Sequence, residues 1–187
     1  MEIKMDIISE LNGKRILIWG YGREGKATEH FLQRCVKPAS VDIFEGKKEE
    51  IDEDDYDFII KSPGIVMNEE NPKYTSETEL FLQQFRDQVI GITGTKGKST
   101  TSAMLYTVLK ACSGRPVLLL GNIGQPCLDY FEEVTEDTII VYEMSCHQLA
   151  HTNVSPHIAI FLNLYEEHLD YYGTVEKYFE AKSHIAA

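Results

Sequence analysis

The chain has 187 residues, 43% of them hydrophobic, and a formal net charge of −12 from 18 Lys and Arg against 30 Asp and Glu. That length suits one or two packed domains, and the acidic balance argues against sequence-independent nucleic-acid binding, which needs clustered Lys and Arg facing phosphates. No apolar run reaches the roughly 18 residues of a membrane span, and the first residues lack the charged-then-apolar form of a secretory leader, so a cytoplasmic protein without membrane or nucleic-acid partners is expected.

Arg15-Ile16-Leu17-Ile18-Trp19 reads as a short strand ending in Gly20-Tyr21-Gly22-Arg23-Glu24-Gly25. Residues 27–35 follow as a helix with Ala27, Phe31 and Leu32 on one face. Strand, glycine turn and helix begin a βαβ unit. Strands at 40–44 and 57–61, the second closing on Ser62-Pro63-Gly64, complete a small Rossmann-like parallel sheet. The acidic run at 47–57 reads as a solvated surface. A helix at 77–85 leads to a domain boundary near residue 87, giving domains 1–87 and 88–187. The second unit alternates again: strand 89–93, helix 100–112, strands 116–120, 138–143 and 157–164, and a helix at 175–187. Parallel strands with helical crossovers imply an α/β sheet covered on both faces. The closing helix stops in mid-pattern with no cap or glycine, so the expectation is a P-loop-type α/β domain cut before its end. Cys35, Cys112, Cys127 and Cys146 show no CxxC pairing and read as reduced, buried thiols.

The chemistry concentrates in the run from Ile90 to Thr101, where an apolar strand turns through Gly94-Thr95-Lys96-Gly97 into Lys98-Ser99 at the head of a helix. Glycines let successive N–H groups converge on an anion, Lys98 brings a mobile cation to the outer phosphates, and the Ser99 hydroxyl suits a phosphate-bound Mg²⁺. The first glycine, Gly91, stands one place earlier than ordinary P-loop spacing requires. Met104, Leu105, Val108 and Leu109 give the following helix its apolar stripe. Glu143 ends a buried-type strand at the edge where ligands bind in open α/β sheets. Cys146 and His147, adjacent on an extended segment, point to opposite faces and form no catalytic pair. His147 and His151 at helical spacing offer two zinc ligands without a third. Asn163, His168 and Asp170 follow another strand end. Lys182 falls on the same helical face as Val175, Tyr178, Phe179, Ile185 and Ala186. Either it snorkels to water, which is the simpler reading of the stripe alone, or desolvation leaves a neutral amine that reacts with CO₂ to give a carbamate, an oxygen ligand for a hard cation.

Gly94-Thr95-Lys96-Gly97-Lys98-Ser99-Thr100, Gly121-Asn122-Ile123-Gly124, Glu143-Met144-Ser145-Cys146-His147-Gln148-Leu149 and His168-Leu169-Asp170-Tyr171-Tyr172-Gly173-Thr174, with Lys182 beyond, resemble the Mur ligases of bacterial peptidoglycan synthesis in order and spacing. The amino-terminal glycine turn and Ser62-Pro63-Gly64-Ile65 are most similar to the branch that joins D-glutamate to UDP-N-acetylmuramoyl-L-alanine. The resemblance implies ATP and Mg²⁺ as cofactors, with Gly94, Thr95, Lys96, Gly97, Lys98, Ser99 and Thr100 around the ATP phosphates. It implies Ser99 and Glu143 on one Mg²⁺, and His168 with a carbamylated Lys182 on a second. Lys98, His168 and Lys182 would be the catalytic residues. Asn122, Ser145 and Gln148 would face the muramoyl-alanine end of the substrate, and Tyr21, Gly22, Glu45, Ser62 and Gly64 the uridine diphosphate. The D-glutamate site would lie mostly in a carboxy-terminal domain that this chain lacks, leaving an inactive fragment. Four positions depart from the pattern: Lys96 stands where asparagine is commoner, Cys146-His147 replace Ser-Phe, and Glu167 replaces an aspartate before His168. Three rival readings remain: another Mur ligase that adds a different amino acid, a nicotinamide-dependent oxidoreductase, from the glycine turn with Glu45 about 20 residues on, and a non-catalytic nucleotide-binding fragment.

Overall fold

The computed structural model describes residues 6–65 and 71–186. Its first sheet is parallel throughout, with strands β1 (Arg15–Trp19), β2 (Ser40–Phe44), β3 (Phe58–Lys61) and β4 (Tyr74–Thr75) in the order β2-β1-β3-β4. Three helices accompany it: α1 (Ile7–Leu11), α2 (Arg23–Cys35) and α3 (Glu77–Phe85). Helix α2 starts four residues earlier than the pattern predicts, because Gly22 serves as its N-cap. Gly25 then packs so tightly on the turn that a Cβ there would lie 2.2 Å from the Gly20 carbonyl oxygen. Only glycine permits that approach of helix to strand end.

A second parallel sheet holds β5 (Val89–Thr93), β6 (Val117–Gly121), β7 (Ile139–Glu143) and β8 (Ile158–Phe161) in the order β6-β7-β5-β8. Helices α4 (Lys98–Cys112), α5 (Cys146–Leu149), α6 (Leu169–Tyr172) and α7 (Val175–Ser183) lie between and after its strands. In both sheets the chain leaves two neighbouring strands in opposite directions. After β1 it moves to β2 on one side and after β3 to β4 on the other; after β5 it moves toward β6 and after β7 toward β8. Such switch points open a crevice at the carboxyl ends of the strands.

The two sheets share one apolar core. Ile16, Ile18, Phe31 and Leu32 from the first unit meet Leu120, Ile140 and Tyr142 from the second around Leu80, Phe81, Leu82 and Phe85 of α3, all buried. The Phe81 and Tyr142 rings pack edge-on with centroids 5.9 Å apart. Because α3 is sandwiched between the two layers, it is buried on nearly every side, and each fully buried Leu or Phe contributes roughly 2–3 kcal/mol. The turn Arg86–Gln88 carries the chain from α3 into β5.

Several expectations need correction. In α4 the buried face runs through Ser102, Leu105, Tyr106 and Leu109, whereas Met104 and Val108 are exposed. In α7 Phe179 is exposed and Ala181 takes its place beside Tyr178, Lys182 and Ile185. That helix ends at Ser183 and gives way to a 3-10 turn at His184–Ala186; the expected helical Ala187 lies outside the described residues. All four cysteines are free, but Cys112 is exposed and Cys35 only partly covered. The acidic run forms two short 3-10 turns, and Glu53 within it is structural, accepting hydrogen bonds from Asn71 Nδ2 and, at 2.7 Å, the Tyr74 hydroxyl. Among the described residues no helix is long and apolar enough to cross a membrane.

Candidate active site

Both switch points open into one cavity of about 680 Å³. From the first sheet it receives Gly22, Arg23 and Glu24 after β1, and Ser62, Pro63 and Gly64 after β3. From the second it receives Lys98, Asn122, Ser145, Gln148, His168 and Lys182. A chain with a net charge of −12 thus places Arg23, Lys98 and Lys182 around a single cleft, which is the arrangement an anionic ligand needs.

The phosphate loop is shaped by its glycines. Gly97 sits at φ 86 as the N-cap of α4, with no side chain capping the helix, and Gly94 at φ 149 is buried against Leu162. Uncapped N–H groups at the head of a fifteen-residue helix form an anion site. Lys98 Nζ curls over the loop and donates to the Gly94 and Thr95 carbonyl oxygens, each at 2.9 Å. Thr95 is buried, its hydroxyl 3.2 Å from that of Tyr178. Ser99 and Thr100 lie exposed in the first turn of α4.

Glu143 is fully buried at the end of β7, where its register neighbour on β5 is Ile92. One carboxylate oxygen accepts from Asn122 Nδ2 at 2.7 Å; the other is buried with no hydrogen-bond partner. An orphaned carboxylate oxygen in a sheet crevice fits a hard cation. Among the described residues no three His, Cys, Asp or Glu side chains cluster as a ligand set.

Lys182 does not snorkel. It is 1% exposed, and its Nζ donates to the Gly94 carbonyl oxygen at 3.0 Å and lies 4.9 Å from the Tyr178 ring centroid. Burial, with Lys98 nearby, takes its ammonium down to about 8. His168 adopts a left-handed backbone (φ 56), and its ring stands 5.2 Å from that of His147. Burial, with His168, Lys182 and Lys61 close by, pushes His147 below its ordinary value.

Other assignments change. Tyr21 points its hydroxyl at Glu29, and exposed Glu45 does not line the cavity, so of the five residues expected at the diphosphate only Gly22, Ser62 and Gly64 meet it. Gln148 is 5% exposed and both ends of its amide are engaged: the oxygen accepts from Ser145 N at 2.9 Å, and the nitrogen donates to Glu24 at 2.8 Å. Residues 145–148 are not extended. Ser145 caps α5, Cys146 and His147 share its first turn, and Cys146 Sγ lies 3.6 Å from His147 Nδ1. His151 faces a different cavity from His147, which removes the pair as a metal site.

The sequence pattern left four contributors unassigned. Arg23 spans from α2 to the Gly124 carbonyl oxygen at 2.8 Å. Asn163 holds the phosphate loop by bonds to both the N–H and the carbonyl of Lys96. Glu24 and Glu77 line a small closed space with Lys61, and burial raises both carboxyls. Each acts through a partner distant in sequence, so no local motif marks it.

Comparison with known proteins places these features. Residues 92–187, just over half of the chain, match the family described as Mur ligase middle domain. A UDP-N-acetylmuramoylalanine--D-glutamate ligase of Clostridium kluyveri is 37% identical over 162 residues, covering 82% of this chain and 35% of that protein. The enzyme of the same name from Streptococcus pyogenes serotype M49 is 33% identical, over 98% of this chain and 47% of its own length. A solved structure of the MurF ligase from Thermotoga maritima in complex with ADP aligns with a TM-score of 0.46 at 22% identity, covering 95% of this chain and 41% of that one. The chain therefore spans less than half the length of the curated relatives it matches. It belongs to the Mur ligase family.

Proposed function

We propose that this chain supplies the UDP-substrate and ATP-binding parts of a ligase that joins D-glutamate to UDP-N-acetylmuramoyl-L-alanine. The carrying observation is the single cavity at two switch points, with Arg23, Lys98 and Lys182 along it and an orphaned Glu143 oxygen at the sheet edge behind Asn122. In this reading residues 1–87 receive the uridine diphosphate, at Gly22, Ser62 and Gly64, and residues 88–187 receive ATP. A nicotinamide reading leaves the second phosphate loop without a task, and the family sets it aside.

The reaction transfers the terminal phosphoryl group of ATP to the substrate carboxylate. A carboxylate oxygen forms the new P–O bond, ADP leaves with the electrons of the old one, and the amine of D-glutamate then displaces phosphate from the acyl carbon, losing a proton. The first obstacle is repulsion between a carboxylate and a triphosphate. Lys98, released from the Gly94 and Thr95 carbonyls, moves onto the outer phosphates; the head of α4 offers its N–H groups. Ser99 and the free Glu143 oxygen would hold Mg²⁺, which supplies charge neutralisation at the phosphates. Asn122 keeps the Glu143 carboxylate oriented, and Ser145 fixes the start of α5 at the cavity wall. His168 and Lys182 line the same cavity and would serve a second cation if Lys182 carries a carbamate. Its present acceptor partners suit an ammonium, so the carbamylated side chain must swing from Gly94 into the cleft. D-glutamate is bound mainly outside this segment in this reading.

Lys98→Ala should cost at least ten-fold in Mg·ADP affinity by calorimetry, and unchanged affinity would defeat the phosphate assignment. For the reaction, the measurement is phosphate release dependent on both ATP and D-glutamate with UDP-N-acetylmuramoyl-L-alanine, using a protein that carries this chain at its relatives' full length. No turnover there would sink the ligase reading.

A further inference from the structure

Lys96 stands in the phosphate loop, but its side chain does not line the cavity; its Nζ pairs with the carboxylate of Glu167 instead. Glu167 in turn places its second oxygen 3.8 Å from His168 Nε2. The segment between β8 and α6 touches the phosphate loop repeatedly, through Asn163, Tyr165 and Glu167. Asn163 binds both the N–H and the carbonyl of Lys96, at 2.9 and 3.0 Å. Tyr165 exchanges two hydrogen bonds with the Thr95 hydroxyl, at 3.0 and 3.2 Å. Glu167 closes the row on Lys96. Immediately beyond it, His168 has the one positive φ among the described non-glycine residues, a conformation that persists only where its surroundings hold it.

We propose that Lys96 is a positioning residue: clasped to Glu167, it fixes His168 against the cavity, so that the phosphate loop and the His168 segment move as one body. The proposal rests on the cavity being a nucleotide site only for its consequence, that phosphates seated on the loop also set the place of His168. The clasp itself is a property of the unliganded chain. Lys96 is exposed and Glu167 partly so, and neither belongs to the apolar core.

The test follows the His168 ring by NMR in the ligand-free chain carrying ¹³C-histidine, with a His168→Gln sample to assign the signal. Lys96→Ala and Glu167→Ala should each displace that signal in the same direction, and the double variant should move it no further than the larger single change. The charge-swapped pair Lys96→Glu with Glu167→Lys should return it toward the wild-type position. An unmoved signal in Lys96→Ala, or shifts that add in the double variant, overturns the proposal. A second readout separates positioning from direct phosphate contact. Mg·ADP affinity lost in Lys96→Ala should recover in the swapped pair, whereas a deeper loss, from a carboxylate set against phosphate, overturns the positioning role. If the wild-type chain binds no ADP, the nucleotide reading fails, and the ring signal still decides the clasp.

Discussion

Lys182→Met removes a charge from the most enclosed position of the site while keeping the volume of the side chain. The lysine is 1% exposed and its ammonium is taken from 10.5 down to about 8 by burial. At about 1.4 kcal/mol per unit, a depression of that size penalises the charged form by about 3 kcal/mol. Water in the adjoining cleft screens part of the penalty, and methionine forfeits the bond to the Gly94 carbonyl, worth roughly 1 kcal/mol. The variant is therefore expected to be more stable than the wild type by about 1–2 kcal/mol at pH 7. The sign with pH follows from proton counts. Between about pH 8 and 10.5 the folded amine binds fewer protons than the unfolded one, so wild-type stability rises with pH through that window and the advantage of methionine disappears. Urea denaturation at pH 7, 8.5 and 10 in CO₂-free buffer measures it. Lys61, also buried and held at about 8, is the internal control, since Lys61→Met should remove a slope of the same sign. A variant less stable than wild type at pH 7, or a difference constant with pH, refutes the reasoning. The neutral amine that this window creates is also the species that captures CO₂. Incubation with ¹³C-bicarbonate near pH 8.5 should give a carbamate resonance that Lys182→Met lacks.

Gly25→Ala should destabilise the fold by about 3 kcal/mol, because the new Cβ would fall 2.2 Å from the Gly20 carbonyl oxygen and the clash is with backbone; a thermal midpoint within a degree or two of wild type would show that the turn gives way. Glu77 is 2% exposed and its carboxyl is raised well above the ordinary range by burial, with Glu24 adding to it. A raised folded value means that the stability it contributes is complete below about pH 4.5 and is lost as pH rises through the folded value, so the melting temperature should fall from pH 5 toward pH 8 more steeply in wild type than in Glu77→Gln. Asp57, pulled to about 2 by Arg15, acts in the opposite sense but only below about pH 4, outside that window. Equal slopes in the two proteins would show that Glu77 is not the group responsible.

Strand ends were the legible part of this chain. An apolar run of five residues followed by glycine or a polar residue needs no partner to be recognised, and in a parallel sheet its carboxyl end faces the crevice. That is why Lys98 and His168 share one cavity as the pattern predicts, and Ser145 and Ser62, which the family resemblance singled out, line it with them. Helix phase was less legible. Near 100° per residue, Phe179 and Ala181 are both plausible neighbours of Tyr178, and the sheet, not the helix, decides between them. Helix α1 and strand β4, of five and two residues, are too short to show any period.

The contacts that turn two crevices into one site leave no local trace, because they join residues far apart along the chain. Gln148 reaches Glu24 across 124 residues and Lys96 reaches Glu167 across 71. The family resemblance assigns Gln148 and Lys96 to ligands. The structure instead gives each end of the Gln148 amide a protein partner and turns the Lys96 charge away from the cavity. Each end of the buried Gln148 amide is held by one protein partner, which fixes Ser145 and ties α2 to α5. In this family member the residues that line the cavity and the residues that tie the two units together overlap in sequence motif and differ in geometry. Variants at Gln148 and Lys96 should therefore disturb the shape of the cavity before they disturb any single bond to a ligand.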